Sequence, residues 1–176
     1  MEPSTSMPDR SRFFLRTLQR CPGAVAVIRG SDEYRAIQGR VTFHQTPSGV
    51  LVSAQLFGLP TTDDPCKAGV FAFHIHGGGS CSGDADDPFQ NARTHYNPGA
   101  CPHPGHTGDL PPLFENRGYA YAVFLTDRFS VEEIIGKTVI LHRDPDDFTT
   151  QPAGNAGKKI ACGEIVPNQE RRSPRC

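Results

Sequence analysis

Seven short segments rich in β-branched and aromatic residues run along most of the chain, each bounded by glycine, proline, aspartate or serine. They are GAVAVIRG, AIQGRVTFHQ, GVLVSAQLFG, AGVFAFHIHG, GYAYAVFLTD, KTVILHRD and KKIACGEIV. Such segments are typical of β-strands, and no helical segments alternate with them. The sequence therefore predicts an all-β fold, a sandwich or barrel of seven or eight short strands.

Turn residues support this fold class. The 176 residues include 18 glycines and 16 prolines, too many for a helical bundle. The turn TPSG joins RVTFHQ to VLVSAQLFG, which predicts a β-hairpin. One segment, SVEEIIGK, is predicted to form a short helical turn.

Two long irregular stretches interrupt the strands, residues 77 to 117 and residues 143 to 157. Long loops inside compact domains are usually functional or disordered. We expect one β domain over residues 21–167, preceded by a flexible, polar and basic arm over residues 1–20. Residues 168–176 are predicted to be a disordered tail.

Charge and hydropathy exclude some partners. A net charge of −1 does not favour binding to nucleic acid or to an anionic membrane surface. No apolar stretch approaches the length of a membrane span. The N-terminus has no signal-peptide pattern, which predicts a cytoplasmic location, or a periplasmic or extracellular one if a leader is missing from the sequence. We expect neither a nucleic-acid nor a membrane partner.

Six of the seven histidines lie in or next to the two irregular stretches. His74 and His76 are two residues apart in FAFHIHG, so both side chains point to the same face of a strand. Alone, such a pair would be interpreted as two solvent-facing strand residues. Further along the chain, however, stand His95, His103, His106, Asp109 and His142. Only His44, in RVTFHQ, lies apart, and it is predicted to have no ligand role.

Six imidazoles and one carboxylate are too many ligands for one tetrahedral metal site. Two four-coordinate sites need eight bonds, and seven residues supply eight if one imidazole binds through both ring nitrogens. Neutral imidazoles suit copper, zinc, iron and nickel. A carboxylate among imidazoles suits zinc, whereas a site made only of imidazoles suits a copper that cycles between two oxidation states. The pattern indicates two adjoining metal sites.

The segments HIHGGGSC, HYNPGACPH, HTGDL, LHRDPDD and GNAGKKIACG, in this order, resemble the copper–zinc superoxide dismutase family in its bacterial form. The resemblance covers the chain from about Ala24 to Ile165. It implies a Greek-key β-sandwich or barrel of about eight antiparallel strands, immunoglobulin-like, with two long functional loops. It also implies an enzyme that converts superoxide to dioxygen and hydrogen peroxide, with copper and zinc as cofactors.

The resemblance also implies which residues hold the metals. Copper would bind His74, His76, His95 and His142, and zinc would bind His95, His103, His106 and Asp109. His95 would then bridge the two ions, in agreement with the ligand count above. Asp146 matches the family's aspartate that links a copper-bound histidine to a zinc-bound one. Cys81 and Cys162 match the family's intrasubunit disulfide.

The chain departs from the family in its charge near copper and in its loop lengths. Where the family has an arginine beside copper, this chain has Lys159, which keeps the charge but not the planar fork and is predicted to guide the anion less well. Lys158 either compensates in part or faces solvent. The loop from Asp147 to Gly154 is short, and only two residues separate His103 from His106. We expect a more open copper site and a rate below the diffusion limit.

Some alternatives stay open in the sequence. Cys66 and Cys101 either form a second disulfide or are unpaired, and Cys21 and Cys176 are expected to be free. The chain is either an active dismutase, a related protein that binds or delivers copper, or a zinc-stabilised domain without catalytic activity. Missing copper ligands would favour the second function, and zinc without copper would favour the third. A homodimer is an open expectation as well.

Overall fold

The strand-like segments form an antiparallel β structure in the described residues, 10–64, 66 and 69–169, of the computed structural model. These parts of the chain contain nine strands and two short α-helices. In chain order they are α1 (Arg10–Leu18), β1 (Ala24–Gly30), β2 (Gln38–Thr46), β3 (Gly49–Phe57), β4 (Val70–Phe71), β5 (Phe73–His76), β6 (Leu113–Phe114), β7 (Tyr119–Thr126), α2 (Val131–Ile134), β8 (Thr138–His142) and β9 (Lys159–Pro167).

Seven of these strands form one curled sheet in the order β5-β8-β9-β1-β2-β3-β7, with every neighbouring pair antiparallel. Strands β4 and β6 pair separately. β4 leads directly into β5, and β6 leads into β7, so this small pair connects the two edges of the large sheet. The predicted all-β Greek-key fold is confirmed, including the β2–β3 hairpin, which closes with Thr46 opposite Gly49.

The core consists of the apolar side chains on the inner face of the curled sheet. Along β5, for example, Phe73 and Ile75 point into this core, so the alternate residues must point away from it. The largest fully buried side chains in this core are Phe43, Phe73, Ile28, Ile37, Leu56, Ile75, Leu113, Ile134, Leu141, Ile160 and Ile165. With no tryptophan in the chain, phenylalanine and branched aliphatic residues fill this core.

Three elements differ in detail from the sequence prediction. The segment AGVFAFHIHG forms two strands, because at Ala72 the backbone bonds instead to Asp144 and His142. The two-residue strand β6 was not predicted, since two residues show no periodicity. The expected flexible arm contains helix α1, which packs against β2 and β3. The prediction of a helical turn in SVEEIIGK is correct: α2 starts with a capping box between Ser130 and Glu133.

The cysteines separate into bonded and free groups. Cys81 and Cys162, 81 residues apart, form a disulfide. Cys66 and Cys101 are free and exposed, so the second bridge considered above is not formed. Cys21, expected to be a free thiol, is disulfide-bonded. The prediction for Cys176 lies outside the described residues, as does most of the predicted tail. None of the helices in the described ranges is long and apolar enough to span a membrane.

Candidate metal centre

Strand β5 is the edge of the seven-stranded sheet, and the long loop after it covers its free side. The backbone N–H of Tyr96 donates to the carbonyl of Ile75 at 2.8 Å, and the N–H of Ile75 donates to Gly108 at 2.9 Å. An edge strand has unpaired backbone groups, and here the loop itself satisfies them. This pairing of the loop with β5 places His95 opposite His76 and Asp109 opposite His74, each as a single antiparallel backbone bridge.

Glycine is required where the loop lies closest to the strand. A Cβ at Gly108 would overlap the carbonyl oxygen of Ile75, a backbone atom that cannot move aside without breaking the pairing. The glycine therefore permits the close approach that brings the histidine-bearing loop against β5.

The first cluster lies between the outer face of the sheet and this loop. His74 and His76 face outward from β5, and His142 ends β8, where the ladder to β9 shifts register by a bulge at Leu141/His142. His95 joins them from the loop. All four side chains are buried, and one nitrogen from each lies within 4.8 Å of the others: His74, His76, His95 and His142.

The second cluster shares His95 with the first and is otherwise built from the loop alone. Three residues of this cluster follow within fifteen positions, and each supplies a ligand atom within 4.8 Å of the rest: His95, His103, His106 and Asp109. The two-residue spacer between His103 and His106 is long enough for both imidazoles to reach one point. Thus the structure brings together all seven ligands that the sequence predicts.

Hydrogen bonds determine which ring nitrogen carries the proton in His76 and His142. His76 Nδ1 donates to the carbonyl of Arg93 at 2.7 Å, and His142 Nδ1 donates to that of Gly157 at 3.2 Å. The unprotonated Nε2 atoms of His76 and His142 then face each other at 3.2 Å. Two nitrogen lone pairs at this distance repel unless a cation lies between or beside them. The donor set therefore fits a metal ion.

Two further nitrogens lead to the same conclusion. His74 Nδ1 and His95 Nε2 are buried and have no hydrogen-bond partner within the described parts of the chain. Buried polar atoms normally have partners, because leaving one unpaired costs about 1–3 kcal/mol. A cation bound by both nitrogens would remove this cost.

Asp146 connects the two clusters. Its two carboxylate oxygens accept hydrogen bonds at 2.8 Å, Oδ2 from His74 Nε2 and Oδ1 from His103 Nε2. His103 therefore has its lone pair on Nδ1, which lies 3.0 Å from a carboxylate oxygen of Asp109. A lone pair and a carboxylate repel at that distance, so the second cluster also fits a cation. Gly154 has no side chain that would displace the His103–Asp146 bond: a Cβ there would overlap both partners.

Burial keeps three imidazoles of the first cluster, those of His74, His76 and His142, neutral. Desolvation, followed by the charges of His95 and His142, lowers the pKa of His74 to about 2. Desolvation also lowers the pKa of His76 well below its ordinary value and that of His142 to about 4. Neutral imidazoles have the free lone pairs that a metal requires.

The carboxylate of the second cluster is ionised near neutral pH. Burial opposes ionisation of Asp109, but a hydrogen bond with His95 and the charges of His103 and His95 outweigh it, and the pKa falls to about 2. Three imidazoles and one carboxylate are a common zinc ligand set, whereas imidazoles alone suit copper.

Two residues that the sequence analysis did not identify hold the second cluster's loop in place. Arg128, at the end of β7, donates to the backbone carbonyls of Pro104 and His106 at 3.0 and 2.9 Å. Gln151 donates to the carbonyl of His103 at 2.6 Å and accepts from its N–H at 3.0 Å. Both contact backbone atoms, so no motif marks them in the sequence.

A cavity of about 350 Å³ opens over the first cluster, lined in part by His76, His142 and Lys159. The ammonium group of Lys159 is not free in this cavity: it bonds Asp87 at 2.6 Å and the carbonyl of Phe89 at 2.9 Å. Lys158 is exposed and lies by another groove, lined by Asp84 and further acidic residues. It does not line the cavity.

The seventh histidine, His44, lies in β2 outside both clusters and is buried. Its Nε2 lies 3.2 Å from the hydroxyl of Thr42. It belongs to neither group of possible metal ligands in the described residues, and its lack of a ligand role stays a prediction.

Known proteins are similar to this chain in sequence and in fold. The family model for copper/zinc superoxide dismutase matches residues 37–165. A Cu-Zn superoxide dismutase of Deinococcus radiodurans is 33% identical over 150 residues, covering 75% of this chain and 79% of the relative. One from Legionella pneumophila is 34% identical over 135 residues, covering 72% and 76%. The solved structure of Cu/Zn superoxide dismutase from Brucella abortus matches with a TM-score of 0.67 at 25% identity, covering 80% of this chain and 98% of the other.

Proposed function

The chain belongs to the copper/zinc superoxide dismutase family, and we propose that its two histidine clusters are the copper and zinc sites of this enzyme. Copper is bound by His74, His76, His95 and His142, and zinc by His95, His103, His106 and Asp109. The observation that carries the assignment is the convergence of four buried imidazole nitrogens in the first cluster, while the other ring nitrogens of His74, His76 and His142 bond to Asp146 or to backbone carbonyls. His95 serves both sites.

The protein is an oxidoreductase: two superoxide ions and two protons give dioxygen and hydrogen peroxide. Copper, when bound, supplies the one-electron couple that takes an electron from one superoxide and returns it to a second. The chain holds the imidazoles that surround it. The carbonyls of Arg93 and Gly157 keep protons on the Nδ1 atoms of His76 and His142, and Asp146 keeps one on Nε2 of His74. The remaining nitrogens are thereby ready to bind the metal without rearrangement.

We propose a limited role for Lys159 in attracting the substrate. It lines the cavity over the copper cluster, and its side chain is 16% exposed. Its positive charge is offset by Asp87, so it attracts an incoming anion less than an unpaired cation would. We propose that Lys159 mainly joins β9 to the loop at Asp87 and Phe89, and contributes only part of the field that guides superoxide.

The two alternative functions are not favoured. A protein that only carries copper would not need a second site beside the first, joined to it by a shared histidine. A zinc-stabilised domain would not need a second cluster of four imidazoles, three of which, His76, His95 and His142, line an open cavity. Each alternative also predicts metal contents and activities that differ from those of the dismutase.

The test is metal analysis together with superoxide consumption by copper-loaded protein. We expect His142→Ala to abolish copper-dependent activity and to lose copper while it retains zinc, since it removes one of four copper ligands and no zinc ligand. His44→Gln is the matched control, a histidine outside both clusters, and should keep both metals. Wild-type protein with full copper occupancy and no activity above that of buffer would contradict the proposal.

Removal of Arg128 should weaken the zinc site without touching a ligand. Arg128→Ala leaves the carbonyls of Pro104 and His106 without their donor, so we expect zinc affinity to fall roughly tenfold, by analogy with other groups that orient ligands. Arg128→Lys should show an intermediate loss, because the ammonium can donate to the same carbonyls that Nη1 contacts but lacks the fixed planar geometry of the guanidinium. Zinc affinity is measured by chelator competition, with exposed Arg40→Ala as control. Equal zinc affinities in the wild type, Arg128→Ala, Arg128→Lys and Arg40→Ala would refute this role of Arg128.

Assembly and compartment remain predictions. We keep the homodimer as the expected assembly, and the molar mass from sedimentation tests it. The Cys81–Cys162 disulfide supports the periplasmic or extracellular alternative, since such bonds persist in oxidising compartments. The proportion of oxidised chains in protein taken directly from its native cells tests the compartment.

A further inference from the structure

We propose that Arg93 supplies the unpaired positive charge that draws superoxide into the copper cavity. This inference deepens the proposed function and rests on it. It follows from three observations: the charges around the cavity, the backbone conformation of Arg93 and the way in which Arg93 is fixed to the copper cluster.

Two cationic side chains line the cavity, Arg93 and Lys159, and no carboxylate lines it in the described part of the chain. Lys159 is already paired with Asp87 at 2.6 Å. The guanidinium of Arg93 forms no ion pair or hydrogen bond with the described residues, and the side chain is exposed. The loop that follows β8 contributes only Pro152 and Ala153, which are uncharged. Arg93 is therefore the cationic side chain of this lining whose charge is not offset by a carboxylate among the described residues.

The backbone of Arg93 has a conformation that glycine adopts most easily. Its φ is 63° and its ψ is −146°, a region that residues with a Cβ rarely occupy. A glycine would relieve this strain, so folding alone does not account for an arginine here. A requirement for its side chain at the cavity does.

Arg93 is also fixed with respect to the copper cluster. Its carbonyl accepts the hydrogen bond from His76 Nδ1 at 2.7 Å, and its N–H donates to the carbonyl of Gln90. The Cα is therefore held next to a copper ligand, and the guanidinium reaches out from that point. A mobile surface arginine would not be anchored in this way.

The experiment compares Arg93→Gln with Arg93→Lys in copper-loaded protein. Both replacements retain a Cβ and hence the backbone strain, so the pair isolates the charge. Arg117→Gln is the matched control: Arg117 is also exposed, also has a positive φ, of 53°, and does not line the cavity. The copper content per chain is measured first. Azide is then titrated as a probe anion, and its binding constant is obtained from the change in absorption when it binds copper. The rate constant of superoxide consumption, per bound copper, is measured over a range of ionic strengths.

We expect Arg93→Gln to weaken azide binding and slow superoxide consumption roughly three- to tenfold at low ionic strength, with the difference vanishing at high salt. Arg93→Lys should recover most of both, and Arg117→Gln should match the wild type. If Arg93→Gln and Arg117→Gln gave the same azide constant and the same rate per copper, the proposal would be wrong. If Arg93→Gln lost copper but kept both values per bound copper, Arg93 would act through its backbone alone, which also overturns it. If the wild type had no dismutase activity but Arg93→Gln still bound azide more weakly than the wild type, the anion site would be supported and the proposed function refuted.

Discussion

Asp146→Asn should weaken the binding of both metals at once, by roughly ten- to a hundredfold each. Asp146 touches neither metal in the assignment above, yet it accepts one hydrogen bond from His74 and one from His103. We therefore expect one substitution, outside the ligand set, to affect the copper and zinc sites together. Metal affinities are measured separately for copper and zinc by competition with chelators.

The reason is the number of acceptor atoms. The carboxylate offers one oxygen to each imidazole, whereas an asparagine amide of the same shape offers one oxygen and one NH₂ group. One of the two histidine N–H groups would then face another donor in a site where the Asp146 side chain is only 1% exposed. That imidazole must turn or move its proton to the other nitrogen, and either change removes the lone pair that the metal needs.

The neighbouring carboxylate provides the control. Asp147 is exposed, and it accepts hydrogen bonds from the backbone of Thr149 and Thr150 rather than from a histidine. Asp147→Asn makes the same chemical change in the same loop and should leave both metal affinities within about twofold of the wild type. If the two variants lost metal equally, the order of the loop rather than the orientation of the imidazoles would explain the effect.

The clustering of the seven side chains could be predicted for two reasons: His74, His76 and His142 lie on or at the end of strands, and the resemblance to a known family implied the loop residues that join them. The alternation of β5 predicts that His74 and His76 share a face, and that face proved to be opposite the core side of Ile75. The fold class followed from the strand-like segments for a similar reason, since pleated strands repeat every two residues. Local periodicity was sufficient for this shared face and for the fold class.

Contacts between distant polar residues could not be predicted in this way. Lys159 was expected to act as a cation beside copper, but Asp87, 72 residues away in the chain, pairs with it. Arg128 and Gln151 bind backbone carbonyls, which every residue has. No residue type in the sequence indicates such a partner. The positive φ of Arg93 is likewise visible only in the three-dimensional structure, because the sequence does not indicate the backbone conformation of an arginine.

Removing the Cys81–Cys162 disulfide should lower the free energy of unfolding by roughly 4–5 kcal/mol in the chain-entropy estimate, since it closes a loop of 81 residues. The variant is Cys81→Ser with Cys162→Ala. Alanine is chosen at position 162 because that side chain is buried against Phe89, Ala92 and Ile140, where a serine hydroxyl would have to be desolvated. Urea unfolding of metal-free protein is the measurement, because bound metals would stabilise both proteins further and mask the difference.

The two free cysteines make a matched control for this experiment. Cys66→Ser with Cys101→Ser also removes two thiols, but both are exposed and unpaired, so the unfolding midpoint should not change. The disulfide also fixes the loop that carries Phe89 and Ala92 against β9, just before the segment that bonds His76. We therefore expect the cross-link variant to bind copper more weakly than the control even where both are folded. A cross-link variant that unfolds at the same urea concentration as the control would show that the native contacts, not the covalent bond, hold this loop in place.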